Sequence, residues 1–171
     1  MKFIPLNLSG AFLIKPEPIE DERGFFVRTF CKDEFEKHGI EFSCVQCNLS
    51  YNRKKGTLRG MHYQAPPHEE AKIVWCPRGA IYDVIVDMRP HSATLKKWHA
   101  EELSAQNRAM LYVPKGFAHG FVTLVDETEA GYMMSEYYHE ECARGLHWDD
   151  KEIGIKWPVA VTSISRQDAS R

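Results

Sequence analysis

The sequence predicts an all-β fold: a double-stranded β-helix, or jelly roll, of two facing sheets with short peripheral helices. Three observations carry that prediction. Short runs of strand-forming residues recur along most of the chain, punctuated by Gly, Pro, Asn and Asp turn signals. Helical periodicity is confined to one brief segment. Two histidine-bearing segments, Gly60-Met61-His62-Tyr63-Gln64 and Pro114-Lys115-Gly116-Phe117-Ala118-His119, lie about fifty residues apart in the strand-rich part of the chain.

Taken in order, Ala11-Phe12-Leu13-Ile14 is a β run that stops at Lys15-Pro16-Glu17-Pro18, where two prolines suit an edge or a loop. Asp21-Glu22-Arg23-Gly24 is a turn leading into the strand formers Phe25-Phe26-Val27-Arg28-Thr29-Phe30. Residues 33–38 form the one convincing helix, acidic at its start and stopped by Gly39. Strands are then predicted near 41–50, 56–63, 71–76, 80–88, 97–103, 108–113, 119–125 and 129–138, with turn residues between them. From Ile155-Lys156-Trp157-Pro158 onward the chain reads as a tail that finishes the domain. Residues 1–171 are therefore expected to form one jelly-roll domain with an N-terminal strand arm and a C-terminal tail packed on it.

A chain of 171 residues is long enough to bury a core without metal or disulfide staples. The net charge of −2 gives no global reason to bind nucleic acid or membrane, so an anionic ligand must be held by a local cluster. Of the five cysteines, Cys44 and Cys47 make a C-x-x-C in a strand-like run, where they are expected to face opposite sides and serve structure. The odd cysteine count, with no recognisable leader, predicts a reducing cytoplasm. No apolar run approaches the ~18 residues of a membrane span.

Residues 57–72 concentrate the chemistry. His62 titrates near neutral pH and can take a proton from carbon if the carbanion is stabilised. It needs an orienting carboxylate, for which Asp83 and Asp168 are the candidates. Arg59 is an anion anchor, yet strand alternation would send Arg59 and His62 to opposite faces unless Gly60 forms a bulge between them. Lys72 shares a face with Val74 and Cys76, and a lysine aimed into an apolar barrel is costly unless it meets an anion, such as an enolate oxygen. Tyr132 is a candidate acid opposing His62, and Tyr138 has the parity to line the same mouth. Arg23 and Arg59 are the candidate diphosphate binders. His119 follows the Gly116 turn, and its expected role is hydrogen bonding to substrate. A metal would require His62, His119 and Glu69 together.

The second histidine segment matches the P-x-G-x-x-H motif of cupins, and the first resembles their H-x-H motif with Gln64 replacing the second histidine. More specifically, the chain resembles the dTDP-4-dehydrorhamnose 3,5-epimerase family. The matching motifs run in order from Asp21-Glu22-Arg23-Gly24-Phe25-Phe26 through Val45-Gln46-Cys47-Asn48-Leu49-Ser50, Leu58-Arg59-Gly60-Met61-His62-Tyr63-Gln64 and Asp83-Val84-Ile85-Val86-Asp87-Met88-Arg89. Pro114-Lys115-Gly116-Phe117-Ala118-His119-Gly120-Phe121, Tyr137-Tyr138 and Gly154-Ile155-Lys156-Trp157-Pro158 complete the set.

The resemblance implies a cofactor-free, homodimeric jelly-roll enzyme acting on a dTDP-4-keto-6-deoxyhexose, with neither metal, nucleic acid nor membrane as a partner. It implies His62 as the base, oriented by Asp168, with Lys72 at the enolate and Tyr132 returning the proton from the opposite face. It implies Arg59 and Arg23, the latter from the partner subunit, at the diphosphate, with Phe26 and Tyr138 among the substrate-binding residues. Gln46 and Asn48 then lie near the nucleotide and His119 near the sugar. The chain departs from the family pattern at Ala71, Lys96-Lys97 and Met133, and in its looser Ser165-Arg166-Gln167-Asp168 tail. Alternatives from the same residues are a 3-epimerase or ketoisomerase on a related sugar nucleotide, a metal-dependent cupin oxygenase, and a non-catalytic sugar-binding cupin.

Overall fold

A computed structural model of the chain describes residues 1–170. One sheet runs, in spatial order, β1 (Lys2–Pro5), β2 (Phe12–Lys15), β10 (Met110–Val113), β7 (Lys72–Arg78), β12 (Thr128–Met134) and β5 (Gln46–Asn52). The other runs β13 (Ala143–Gly145), β6 (Thr57–Gln64), β11 (Phe117–Thr123), β8 (Ala80–Asp87) and β9 (Trp98–Ser104), with β14 (Ser163–Ile164) laid parallel on β6. A separate hairpin of β3 (Ile19–Asp21) and β4 (Gly24–Phe26) stands outside both sheets.

The apolar residues explain this arrangement. Alternate positions of both sheets, among them Leu13, Val74, Cys76, Ile81, Ile85, Leu111, Phe117, Phe121 and Ala130, share one central cluster. Burying a side chain such as Phe117 there stabilises the fold by about 1.5–3 kcal/mol. The opposite faces are also covered. Ile14, Ile73, Met110 and Tyr112 pack under Phe35 of helix α1 (Lys32–Glu36) and under Ile40 and Phe42. On the other sheet, Met61, Val84, Val86 and Ala118 pack under Leu146, Ile153, Ile155 and Trp157. Double-sided burial is why β8 and β11 are near-continuous apolar runs instead of alternating ones.

Several boundaries differ from the sequence reading, each for a packing reason. The strand expected over 41–50 begins only at Gln46, because Ile40 and Phe42 are loop residues that close the α1 cluster. The strand expected over 25–30 ends at Phe26, and Phe30 turns in to meet Phe35 with ring centroids 5.0 Å apart. The strand expected to reach 138 ends at Met134; Ser135 then accepts a hydrogen bond from the Ala71 N–H through Oγ at 2.7 Å. The expectation that Cys44 and Cys47 face opposite sides fails. Cys44 precedes β5, so strand alternation does not govern it, and the two free thiols lie 3.5 Å apart. Hydrogen bonding to Cys44, with burial, pushes the Cys47 thiol up. Among the described residues no helix is long and apolar enough to cross a membrane.

Candidate active site

The site is built around an irregularity in β6. His119 of β11 pairs with His62, and Phe121 with Arg59, so three steps along β6 match two along β11. The extra residue is the bulge that strand parity required, and Gly60 holds it at φ +124°. A Cβ on Gly60 would lie 2.6 Å from the Gly120 Cα, so a glycine is needed on β6 for the strands to approach this closely. With the bulge in place, Arg59 and His62 line one cavity of about 340 Å³ together with Lys72, His119 and Tyr132. An adjoining cavity of about 280 Å³ shares His62, Lys72, Tyr132 and Gln167 with it and adds Gln46, Asn48, Glu70 and Tyr138.

The tail delivers the partner of His62. β14 runs beside the start of β6, and a single helical turn, α2 (Arg166–Ala169), follows it. Ser165 caps that turn by accepting the Asp168 N–H, which turns the Asp168 carboxylate inward. Asp168 Oδ1 lies 2.5 Å from His62 Nε2. The other candidate, Asp83, is taken by a different histidine: its Oδ1 is 2.7 Å from His119 Nε2. Each histidine thus has its own carboxylate. Asp83 Oδ2, fully buried, has no hydrogen-bond partner among the described residues.

Lys72 points inward with Val74 and Cys76, and its side chain is only 7% exposed. The anion that makes this burial tolerable is internal. Glu70 Oε1 lies 2.8 Å from Lys72 Nζ and is equally buried, while the His62 carbonyl accepts from the same ammonium at 3.5 Å. Sequence reasoning missed Glu70, although the signal was present: a buried lysine demanded a carboxylate, and Glu70 lies two residues before it. Glu69, in contrast, lines a separate cavity beside Arg89, so a His62–His119–Glu69 metal triad is not assembled.

Tyr132 enters from the opposite sheet, paired with Asn48 on β5 and Val74 on β7. Burial pushes its phenol up; Glu70 adds to that rise and Arg59 opposes it. Gln46 and Asn48 alternate on the inner face of β5, where Gln46 Nε2 donates to Asn48 Oδ1 at 3.3 Å. Arg59 donates through Nε to Asn52 Oδ1 at 2.7 Å, a second orienting residue that sequence reasoning missed. Gln64, at the position of a cupin's second histidine, is buried and binds backbone instead: Nε2 donates to the His68 and Tyr137 carbonyls, and Oε1 accepts from the His139 N–H. Arg23 and Phe26 do not line the cleft of their own chain. They sit on the exposed β3–β4 hairpin, where Arg23 pairs with Asp21.

This geometry sets an imidazole of one sheet, paired with a carboxylate from the tail helix, against a phenol on the other sheet, with an ammonium beside them and a guanidinium at one end. It suits proton removal from one face of a flat substrate and proton return on the other. The family model described as dTDP-4-dehydrorhamnose 3,5-epimerase matches residues 5–171. The dTDP-4-dehydrorhamnose 3,5-epimerase of Sinorhizobium fredii (strain NBRC 101917 / NGR234) is 43% identical over 172 residues, covering 100% of this chain and 88% of that protein. The chain belongs to the dTDP-4-dehydrorhamnose 3,5-epimerase family.

Solved structures agree. The dTDP-4-dehydrorhamnose 3,5-epimerase of Bacillus anthracis str. Ames, crystallised with TDP and PPi bound, superposes with a TM-score of 0.95 at 45% identity, covering 98% of this chain and 96% of that one. The Legionella pneumophila Philadelphia 1 enzyme, in complex with dTDP-4-keto-L-rhamnose, gives 0.93 at 36% identity over 99% and 90% of the two chains. The all-β jelly roll is thus the cupin-type fold of this epimerase family, and the protein is an isomerase, a dTDP-4-dehydrorhamnose 3,5-epimerase.

Proposed function

We propose that the cleft binds a dTDP-linked 4-keto-6-deoxyhexose between the sheets and inverts C3 and C5 with the residues described above. The observation that supports this reading best is the opposition of His62 on one sheet, paired with Asp168 of the tail helix, to Tyr132 on the other. Protons at C3 and C5 both lie alpha to the C4 ketone, so one base next to the ring can serve either carbon. His62 removes the proton, while Asp168 fixes the ring and stabilises the imidazolium. Lys72 supplies positive charge to the enolate oxygen, and Glu70 holds Lys72 in place. Tyr132 returns a proton from the far face; its raised pKa keeps the phenol protonated at neutral pH.

Arg59 serves the diphosphate, Gln46 and Asn48 the nucleotide, His119 the sugar, and Tyr138 the rim. Arg23 and Phe26 complete the cleft of a partner subunit in a homodimer. The β3–β4 hairpin supports this, since Ile19 and Phe26 are 71% and 67% exposed on an arm that stands outside both sheets and meets its own chain through Phe25, whose ring lies 4.0 Å from the Arg108 guanidinium. The free cysteines suit a cytoplasmic setting.

The test is conversion of dTDP-4-keto-6-deoxyglucose followed by proton NMR. Appearance of the doubly inverted dTDP-4-dehydrorhamnose supports the reading. A product inverted only at C3 would reassign the protein as a 3-epimerase, and no turnover would remove this substrate. Sedimentation of a monomer at assay concentration would overturn the partner role of Arg23 and Phe26.

A further inference from the structure

Beyond the cleft, two histidines from different segments meet. His68 lies in the turn after β6 and His139 in the segment after β12; their rings stack with centroids 3.5 Å apart and planes 9° from parallel. Glu136 Oε2 is 3.8 Å from His68 Nδ1, and Glu141 Oε1 is 3.2 Å from His139 Nδ1. One donor atom from each of His68, Glu136 and His139 lies within 4.8 Å of the other two.

We propose that His68, Glu136 and His139 form a three-ligand site for a late first-row divalent metal of the zinc class, which clamps the turn after β6 to the segment after β12. Two imidazoles and one carboxylate are a donor set suited to zinc and its neighbours, not to calcium or magnesium. His68 Nδ1 and Glu136 Oε2 stand 3.8 Å apart, farther than the roughly 3.3 Å that tetrahedral bonds of about 2.0–2.1 Å impose. Side-chain rotation closes that gap. The rings must also open from their parallel stack, because each nitrogen lone pair lies in its ring plane, and partial exposure leaves room for this.

The frame beneath the donors is already fixed. The buried amide of Gln64 donates to the His68 carbonyl at 2.9 Å and the Tyr137 carbonyl at 3.0 Å, and accepts from the His139 N–H at 2.6 Å. One side chain thus holds the backbone of His68 and His139, and that of Tyr137 next to Glu136. The local charge also favours a cation. Among the described residues Glu136 and Glu141 form ion pairs only with these histidines, Glu136 Oε1 also accepting the Tyr137 N–H at 2.8 Å, and the neighbouring Arg144 donates to the Glu141 backbone carbonyl instead of its carboxylate. Between Glu136 and His139 lie Tyr137 and Tyr138, and Tyr138 lines the cleft. A metal here braces the rim of the active site without entering it.

The test uses the full chain and the metal itself. Titration with Co²⁺ followed by visible absorption, then displacement by Zn²⁺, should show one saturable site per chain. Zinc-edge anomalous diffraction from crystals grown with equimolar zinc should place a single peak among His68, Glu136 and His139. His68→Ala and Glu136→Gln should each weaken binding at least tenfold while leaving the circular dichroism spectrum unchanged. Absence of saturable binding by the unmodified protein overturns the proposal. So does a peak at Cys44–Cys47 or at His62–His119, or binding that both variants retain.

Discussion

Replacing Glu70 by Gln tests whether the buried ion pair organises Lys72, the residue proposed to meet the enolate. The pair is 2.8 Å long and both side chains are 7% exposed. At an effective dielectric of 20, two unit charges at that distance attract by ~6 kcal/mol before desolvation is counted. Desolvation cancels most of this, and the net value of a hydrogen bond to a charged group is about 1.5–3 kcal/mol. Glu70→Gln keeps the shape and one oxygen acceptor, so urea unfolding should show a loss near the lower end of that range. Lys72→Met should cost about 3–5 kcal/mol, because it strands a buried carboxylate. The Glu70→Gln/Lys72→Met double variant should be more stable than the sum of the two losses predicts, by at least ~1 kcal/mol. Activity should separate from stability, since the double variant regains part of the stability while kcat/KM stays at the Lys72→Met level. Losses that add within about 0.5 kcal/mol would refute the coupling.

Three further outcomes follow from the geometry. Tyr132→Phe should lower net epimerisation by about 10²–10⁴-fold while exchange of substrate protons with solvent persists, since only proton return is lost; in the native enzyme the alkaline limb of kcat set by this phenol should lie above pH 10.0, its ordinary value. Gly60→Ala should be destabilised by roughly 1–3 kcal/mol or more, from the positive φ and the 2.6 Å approach to Gly120, and should lose substrate affinity as Arg59 is displaced; thermal unfolding and KM report the two effects. Asp87 is pushed up by burial, but hydrogen bonds from Arg89, Ser92 and Thr94 outweigh that and hold its carboxyl well below the usual range. Its contribution is therefore present above the unfolded value of 3.8 and lost as pH falls toward the folded one, so the stability gap between native and Asp87→Asn protein should be full at pH 7 and shrink in strong acid.

Much of the fold was legible because turn residues delimit the strands, and eight expected strands from residue 41 onward correspond to β5 through β12. What could not be read were elements whose existence depends on their partners. The four residues of β1, the three of β13 and the two of β14 are too short to show alternation and form only against β2 and β6. The bulge at Gly60 was readable from a parity conflict between Arg59 and His62. The allocation of Asp83 and Asp168 was not, because it depends on a tail that returns over a hundred residues to reach β6. Cys44 and Cys47 show the opposite failure, where a local rule was applied outside the strand it describes.

The measurement that bears most directly on the central claim is deuterium incorporation from solvent. The protein and its His62→Ala variant are incubated with dTDP-4-keto-6-deoxyglucose in deuterium oxide, and label is located by mass spectrometry and NMR. The account predicts deuterium at both C3 and C5 with the native protein and none above background with the variant. Label that persists in the His62→Ala protein would contradict the assignment of His62 as the base.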